Sequence, residues 1–185
     1  MGEQHKKHNR REHLNDFHLN VAGEYVYDGA LYACQNDDAK QRRSKRAVWG
    51  MAAILTVAVV AGGCIPAPGK QNCFYVLLPY LGEFLGAASV IWALAKLGTD
   101  WSTVREYNYK KSVAVLPVRT AVTAVFSLLG IVCELIFFFV NDHAGQTFFA
   151  LLYVLLKLIA LLSVLVLRAE IMQAEWDKLP KKNNF

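Results

Sequence analysis

Histidine is missing from the interior of every long apolar run in this 185-residue chain, which removes the paired axial ligands that a bis-histidine membrane haem needs. Also missing are a glycine-rich phosphate loop after a strand, an HExxH pair, a paired-cysteine zinc pattern and a serine nucleophile elbow. No motif therefore points to nucleotide, metalloprotease or serine hydrolase chemistry, and neither a metal nor a cofactor is expected. Cysteine is scarce, at 4 residues, and the interval between Cys64 and Cys73 is far wider than the CxxC spacing of a thiol oxidoreductase. No short basic leader with an apolar core opens the chain. Met1 to Arg46 is polar and charged instead, so the first apolar run is expected to be kept as an anchor. No repeat at a solenoid period is visible.

What the chain has in quantity is apolar sequence in long blocks. Four runs, 47–65, 74–97, 117–140 and 147–167, each approach or exceed the ~20 residues needed to cross ~30 Å of hydrocarbon at ~1.5 Å per residue. What remains is too short for a separate soluble domain. The expected fold is an all-α integral membrane protein, a four-transmembrane-helix bundle made of two helical hairpins over residues 47–168. A polar, basic arm (1–46) precedes it and a helical tail (169–185) follows.

Lys and Arg sit on one side of these spans. The arm carries nine of them, ending in "KQRRSKR", and Arg105, Lys110, Lys111, Arg168, Lys178, Lys181 and Lys182 flank the inner connection and the tail. The connection "IPAPGKQN" has only Lys70, and "NDHAGQ" has none. Basic residues stay on the cytoplasmic side. Both termini are therefore expected in the cytoplasm, in a multi-pass protein of the bacterial plasma membrane. Trp49, Trp92, Trp101 and Trp176 fall near the expected inner boundary, where indole rings favour the interface.

Local signals refine this plan. Asp28-Gly29 between two short Tyr/Val-rich runs is a hairpin signal. A helix starting at Asp37 and running into the first span is the alternative. Gly98 suits the end of the second span and Pro117 the first turn of the third. Met172, Trp176 and Leu179 recur at helical spacing, so the last helix is expected to run to Pro180.

Three ionisable residues lie inside the spans, where a charge is costly and marks a candidate site. Glu83 and Lys157 are each ~15 Å below the outer boundary, and Glu134 is ~9 Å below it, counting ~1.5 Å per residue. Lys157 is expected opposite Glu83, Glu134 or both. Tyr153, on the same stripe as Lys157, is a candidate hydrogen-bond donor to either carboxylate. Gly82 and Gly86 form a small-xxx-small pair for close helix approach, and Pro79 interrupts the backbone bonding of the same span. Cys64 and Cys73 bracket the outer turn and are candidates for a disulfide. Arg42, Arg43, Lys45 and Arg46 are placed to meet anionic lipid headgroups at the cytoplasmic face, a simpler partner for this segment than nucleic acid.

With no catalytic constellation, the expected role is that of a non-enzymatic accessory or assembly subunit. It would bind a membrane partner, as a homo-oligomer or in a hetero-complex, through the small-residue face of the second span and its cytoplasmic ends. The alternative is a small oligomeric transporter or channel that uses Glu83, Glu134 and Lys157 for ion, proton or polar substrate passage.

Overall fold

The computed structural model describes residues 17–19, 23, 25–27, 29–141 and 147–179. In chain order these hold β1 (Phe17–Leu19), β2 (Tyr25–Tyr27), β3 (Leu31–Cys34), α1 (Asp38–Cys64), α2 (Pro68–Asn72), α3 (Phe74–Leu97), β4 (Val104–Arg105), α4 (Glu106–Lys111), α5 (Leu116–Val140), α6 (Thr147–Gln173) and β5 (Trp176–Lys178). Four helices, α1, α3, α5 and α6, are long and apolar enough to cross a membrane. Their bounds follow the local chemistry. Asp37 precedes α1, although its side chain makes no capping hydrogen bond. Gly98 closes α3 at φ 69°, a conformation that favours glycine. Pro117 sits in the first turn of α5, where its missing N–H costs nothing.

The long helices form a ring. α6 lies between α1 and α5, α5 lies between α6 and α3, and a lighter contact of α1 with α3 closes the circuit. The polarity of this ring is inverted relative to a soluble bundle. On α5 the buried stripe includes Thr120, Thr123, Ser127 and Glu134, whereas Val118, Val122, Val125, Leu128, Leu129, Val132 and Ile136 are exposed. α6 repeats the pattern, with Tyr153, Lys157 and Ser163 inside and Leu151, Leu155, Leu158 and Leu162 outside. In water such an exterior would collapse, but in hydrocarbon it is the solvated face, and polar groups turn inward to find partners. Several buried hydroxyls satisfy themselves on their own helix: Thr120 donates to the Leu116 carbonyl at 2.9 Å, Thr123 to Arg119 at 2.8 Å and Ser163 to Ile159 at 2.7 Å.

One end of the bundle is capped by a small three-stranded sheet. β3 is its central strand, antiparallel to both β4 (Tyr32 opposite Val104) and β5 (Ala33 opposite Asp177). Behind it, Trp101 is buried, with its ring 5.8 Å from that of Trp176, while Tyr32 stacks on Tyr109 at 4.2 Å. This cap is continuous with the apolar core of the bundle through Val48, Leu94, Leu97, Leu116 and Leu167. Ser44 of α1 adds a 2.8 Å hydrogen bond to Glu170 of α6 just beneath it.

The cap corrects four expectations. The fold is mostly helical but not all-α. The runs either side of Gly29 do not pair as a hairpin: β2 pairs with β1, and β3 with β4 and β5, while Asp28 lies outside the described residues. The tail does not continue as helix to Pro180, because α6 ends at Gln173 and the residues from Trp176 take up main-chain pairing with β3. Pro180 and the residues after it lie outside the described residues. Trp101 and Trp176 serve the core of the cap instead of an interfacial belt, whereas Trp92 is 63% exposed and Trp49 also faces outward.

Candidate functional site

Inside the ring, Glu83 of α3 and Lys157 of α6 meet as an ion pair across the bundle, both almost wholly buried. The Ser127 hydroxyl of α5 donates to the second Glu83 oxygen at 2.5 Å. Three of the four long helices therefore converge on one carboxylate. Each group answers another's desolvation: the ammonium balances the carboxylate, and the hydroxyl occupies the oxygen that the ammonium does not. Gly130 makes room for the lysine, since a Cβ there would lie 3.3 Å from Lys157 Nζ.

Two tyrosine rings complete the surroundings of Lys157. Its ammonium lies 4.8 Å from the centre of the Tyr80 ring and 5.2 Å from that of Tyr153, within the range of cation–π attraction. Tyr80 is oriented by a 3.4 Å hydrogen bond from its hydroxyl to the Val59 carbonyl of α1. Tyr153 is fully buried, but its hydroxyl has no hydrogen-bond partner among the described residues. The expected donation from Tyr153 to a carboxylate is not made. The ring, not the hydroxyl, is what Tyr153 contributes. Tyr153→Phe is accordingly expected to leave thermal stability in detergent within about 1 kcal/mol of wild type, since no hydrogen bond is lost. A large loss would show that the hydroxyl is engaged.

Glu134 is buried but lies at a different level from the ion pair. Its carboxylate stands against Gly69 of α2, where an added Cβ would collide with it. The turn holding α2 is thus not a loop on the surface. Ala67, Pro68 and Gly69 are buried, and α2 touches α5 and α6 as well as α3. It folds into the mouth of the bundle as a short plug above the Glu83–Lys157 pair.

Lys70, on that plug, is the residue that sequence reasoning missed as a site member. Its ammonium turns inward and donates to the carbonyls of Gly62 at 3.0 Å, Gly63 at 2.6 Å and Ile65 at 2.6 Å. It also faces the same two rings as Lys157, at 5.5 Å from Tyr80 and 5.9 Å from Tyr153. Burial pushes its pKa below the usual lysine value, while Cys64 and Glu134 pull the other way. The available signal was the turn itself: "IPAPGKQN" is rich in small and cyclic residues, unlike a solvated loop.

The remaining candidates are dispersed. Gly82 and Gly86 do allow close approach, but of α5 within the same chain: a Cβ at Gly86 would lie 2.6 Å from Thr123 Oγ1 and 3.3 Å from its Cα, and one at Gly82 would strike the Phe126 ring. That face is therefore not available to a partner. Cys64 and Cys73 are free thiols on either side of α2, so the disulfide considered for them is not formed here. Arg42, Arg43 and Arg46 are exposed around an open cleft with Asp38. Lys45 instead turns to the cap, 5.8 Å from the Trp101 ring. Among the described residues no group of His, Cys, Asp and Glu is placed to hold a metal. No family model matches the chain, and no curated protein or solved structure is significantly similar to it. The described residues thus hold four helices long and apolar enough to cross a membrane, arranged around a paired polar interior.

Proposed function

We propose that this chain is a non-enzymatic accessory or assembly subunit of the bacterial plasma membrane, with both termini in the cytoplasm, that binds a membrane partner through its sheet-capped end. The observation that carries this reading is the cap. Arm, inner connection and tail, far apart in sequence, are joined into one sheet at one end, which makes a defined surface out of segments that would otherwise be separate loops. The skew of Lys and Arg toward that end supports its cytoplasmic placement, and exposed Arg42, Arg43 and Arg46 suit anionic headgroups beside it. The Glu83–Lys157 pair then fixes helix neighbours instead of handling a substrate.

The test is co-purification from native membrane in mild detergent. Wild type should bring down a defined membrane protein, and charge reversal at exposed Asp177 and Lys178 of β5 should lose it while the bundle stays folded. Recovery of the same partner with that variant would refute binding through the cap. A second reading, a small cation or proton transporter, is favoured by one observation: the Tyr80 and Tyr153 rings stand against two inward-turned ammonium groups. It predicts flux in liposomes that a folded Lys157→Met, Glu83→Gln variant lacks.

A further inference from the structure

Lys70 is more than a turn residue near a helix end. The three hydrogens of a lysine ammonium require three acceptors, and the carbonyls of Gly62, Gly63 and Ile65 provide them. Gly62 and Gly63 lie in the last turn of α1, the negative end of its macrodipole, where a cation is favoured. The Tyr80 and Tyr153 rings cover the ammonium at cation–π distance. Tyr80 is held in place by its bond to Val59, independently of Lys70. Acceptors, field and aromatic faces therefore all belong to the bundle, and only the ammonium comes from the plug.

We propose that the C-terminal end of α1, with Tyr80 and Tyr153, is a binding site for a primary ammonium cation, which the chain fills with Lys70 as a tethered ligand. The donor requirement defines the ligand class. A primary alkylammonium presents three N–H donors as Lys70 does, whereas a quaternary ammonium offers the charge and no donor, and sodium offers neither the donors nor the alkyl chain. Lys70 is only half-buried, and Pro66 and Gln71 beside it are exposed, so the site lies next to solvent at the turn end of the bundle.

Chemical complementation tests this. Lys70→Ala removes the atoms of propylammonium from the side chain, so thermal unfolding of the full-length variant in detergent should fall below wild type. Propylammonium at tens of millimolar should restore at least half of that fall. Tetramethylammonium and sodium chloride at the same ionic strength should restore none, and the wild-type midpoint should not move with any of the three. Should the variant not survive purification, the same salts are added during extraction, and folded protein recovered with propylammonium alone carries the same meaning. The proposal is overturned if Lys70→Ala melts like wild type. It is equally overturned if propylammonium helps the variant no more than sodium does, or if it shifts wild type and variant alike.

Discussion

Lys157→Met alone is expected to destabilise the bundle by about 3–5 kcal/mol, because it leaves the Glu83 carboxylate buried without its cation. Glu83→Gln alone should be costly for the converse reason. Combining the two should recover most of the loss: the glutamine keeps an oxygen to accept from Ser127, and methionine fills the lysine's path with a chain of similar length. The measurement is reversible unfolding in mixed detergent for both single variants and the double. A cycle in which the double variant equals the sum of the singles would mean that the two residues do not interact. A neutral Lys157→Met would mean that the ammonium reaches interfacial water, as long basic side chains can.

The second large effect is expected at the capped end of the bundle. Trp101 is the largest fully buried side chain of the cap, against Trp176 and beneath Lys45. Trp101→Ala should cost about 3–5 kcal/mol, as truncation of a large buried aromatic does. Trp101→Phe should cost much less, since the indole N–H has no hydrogen-bond partner among the described residues. The loss should be local before it is global. The Cys34 amide donates to the Trp101 carbonyl at 3.1 Å, and in the alanine variant this amide should lose hydrogen-exchange protection while amides midway along α5 and α6 keep theirs. Unchanged protection at Cys34 would contradict the cap's dependence on that ring.

How much of this was legible beforehand divides by the range of the interaction. The four spans were readable because crossing hydrocarbon demands ~20 apolar residues in succession, a purely local signal. Glu83, Glu134 and Lys157 were readable for the same reason, as charges within such runs. Which carboxylate faces Lys157 was not, because that depends on helix rotation and on the ring order of the bundle. Glu83 reaches it from the far side of the ring, whereas Glu134 is turned to the plug. The sheet was invisible for a different reason. β3, β4 and β5 have between two and four residues each, and Tyr32 is opposite both Val104 and Lys178, pairings that no local window contains. Trp176 and Leu179 read as a continuing helical stripe since their spacing is the same whether the ring meets lipid or the Trp101 cap. In the sequence Lys70 reads as an outer charge, because a lone lysine in a turn is ordinarily solvated. Only the inward fold of Ala67, Pro68 and Gly69 brings it to the end of α1.

The most direct test of the whole account is the sidedness of its two ends. With α3 crossing the membrane between them, Gln71, exposed on the α2 plug, and Ser102, exposed beside the cap, are expected on opposite faces. With the native cysteines replaced by Ser, Gln71→Cys should react with a membrane-impermeant maleimide in intact cells. Ser102→Cys should react only after permeabilisation. Labelling of both positions from the same side would contradict the crossing by α3 on which the four-span account rests, and labelling of Ser102→Cys in intact cells would contradict the cytoplasmic placement proposed for the cap.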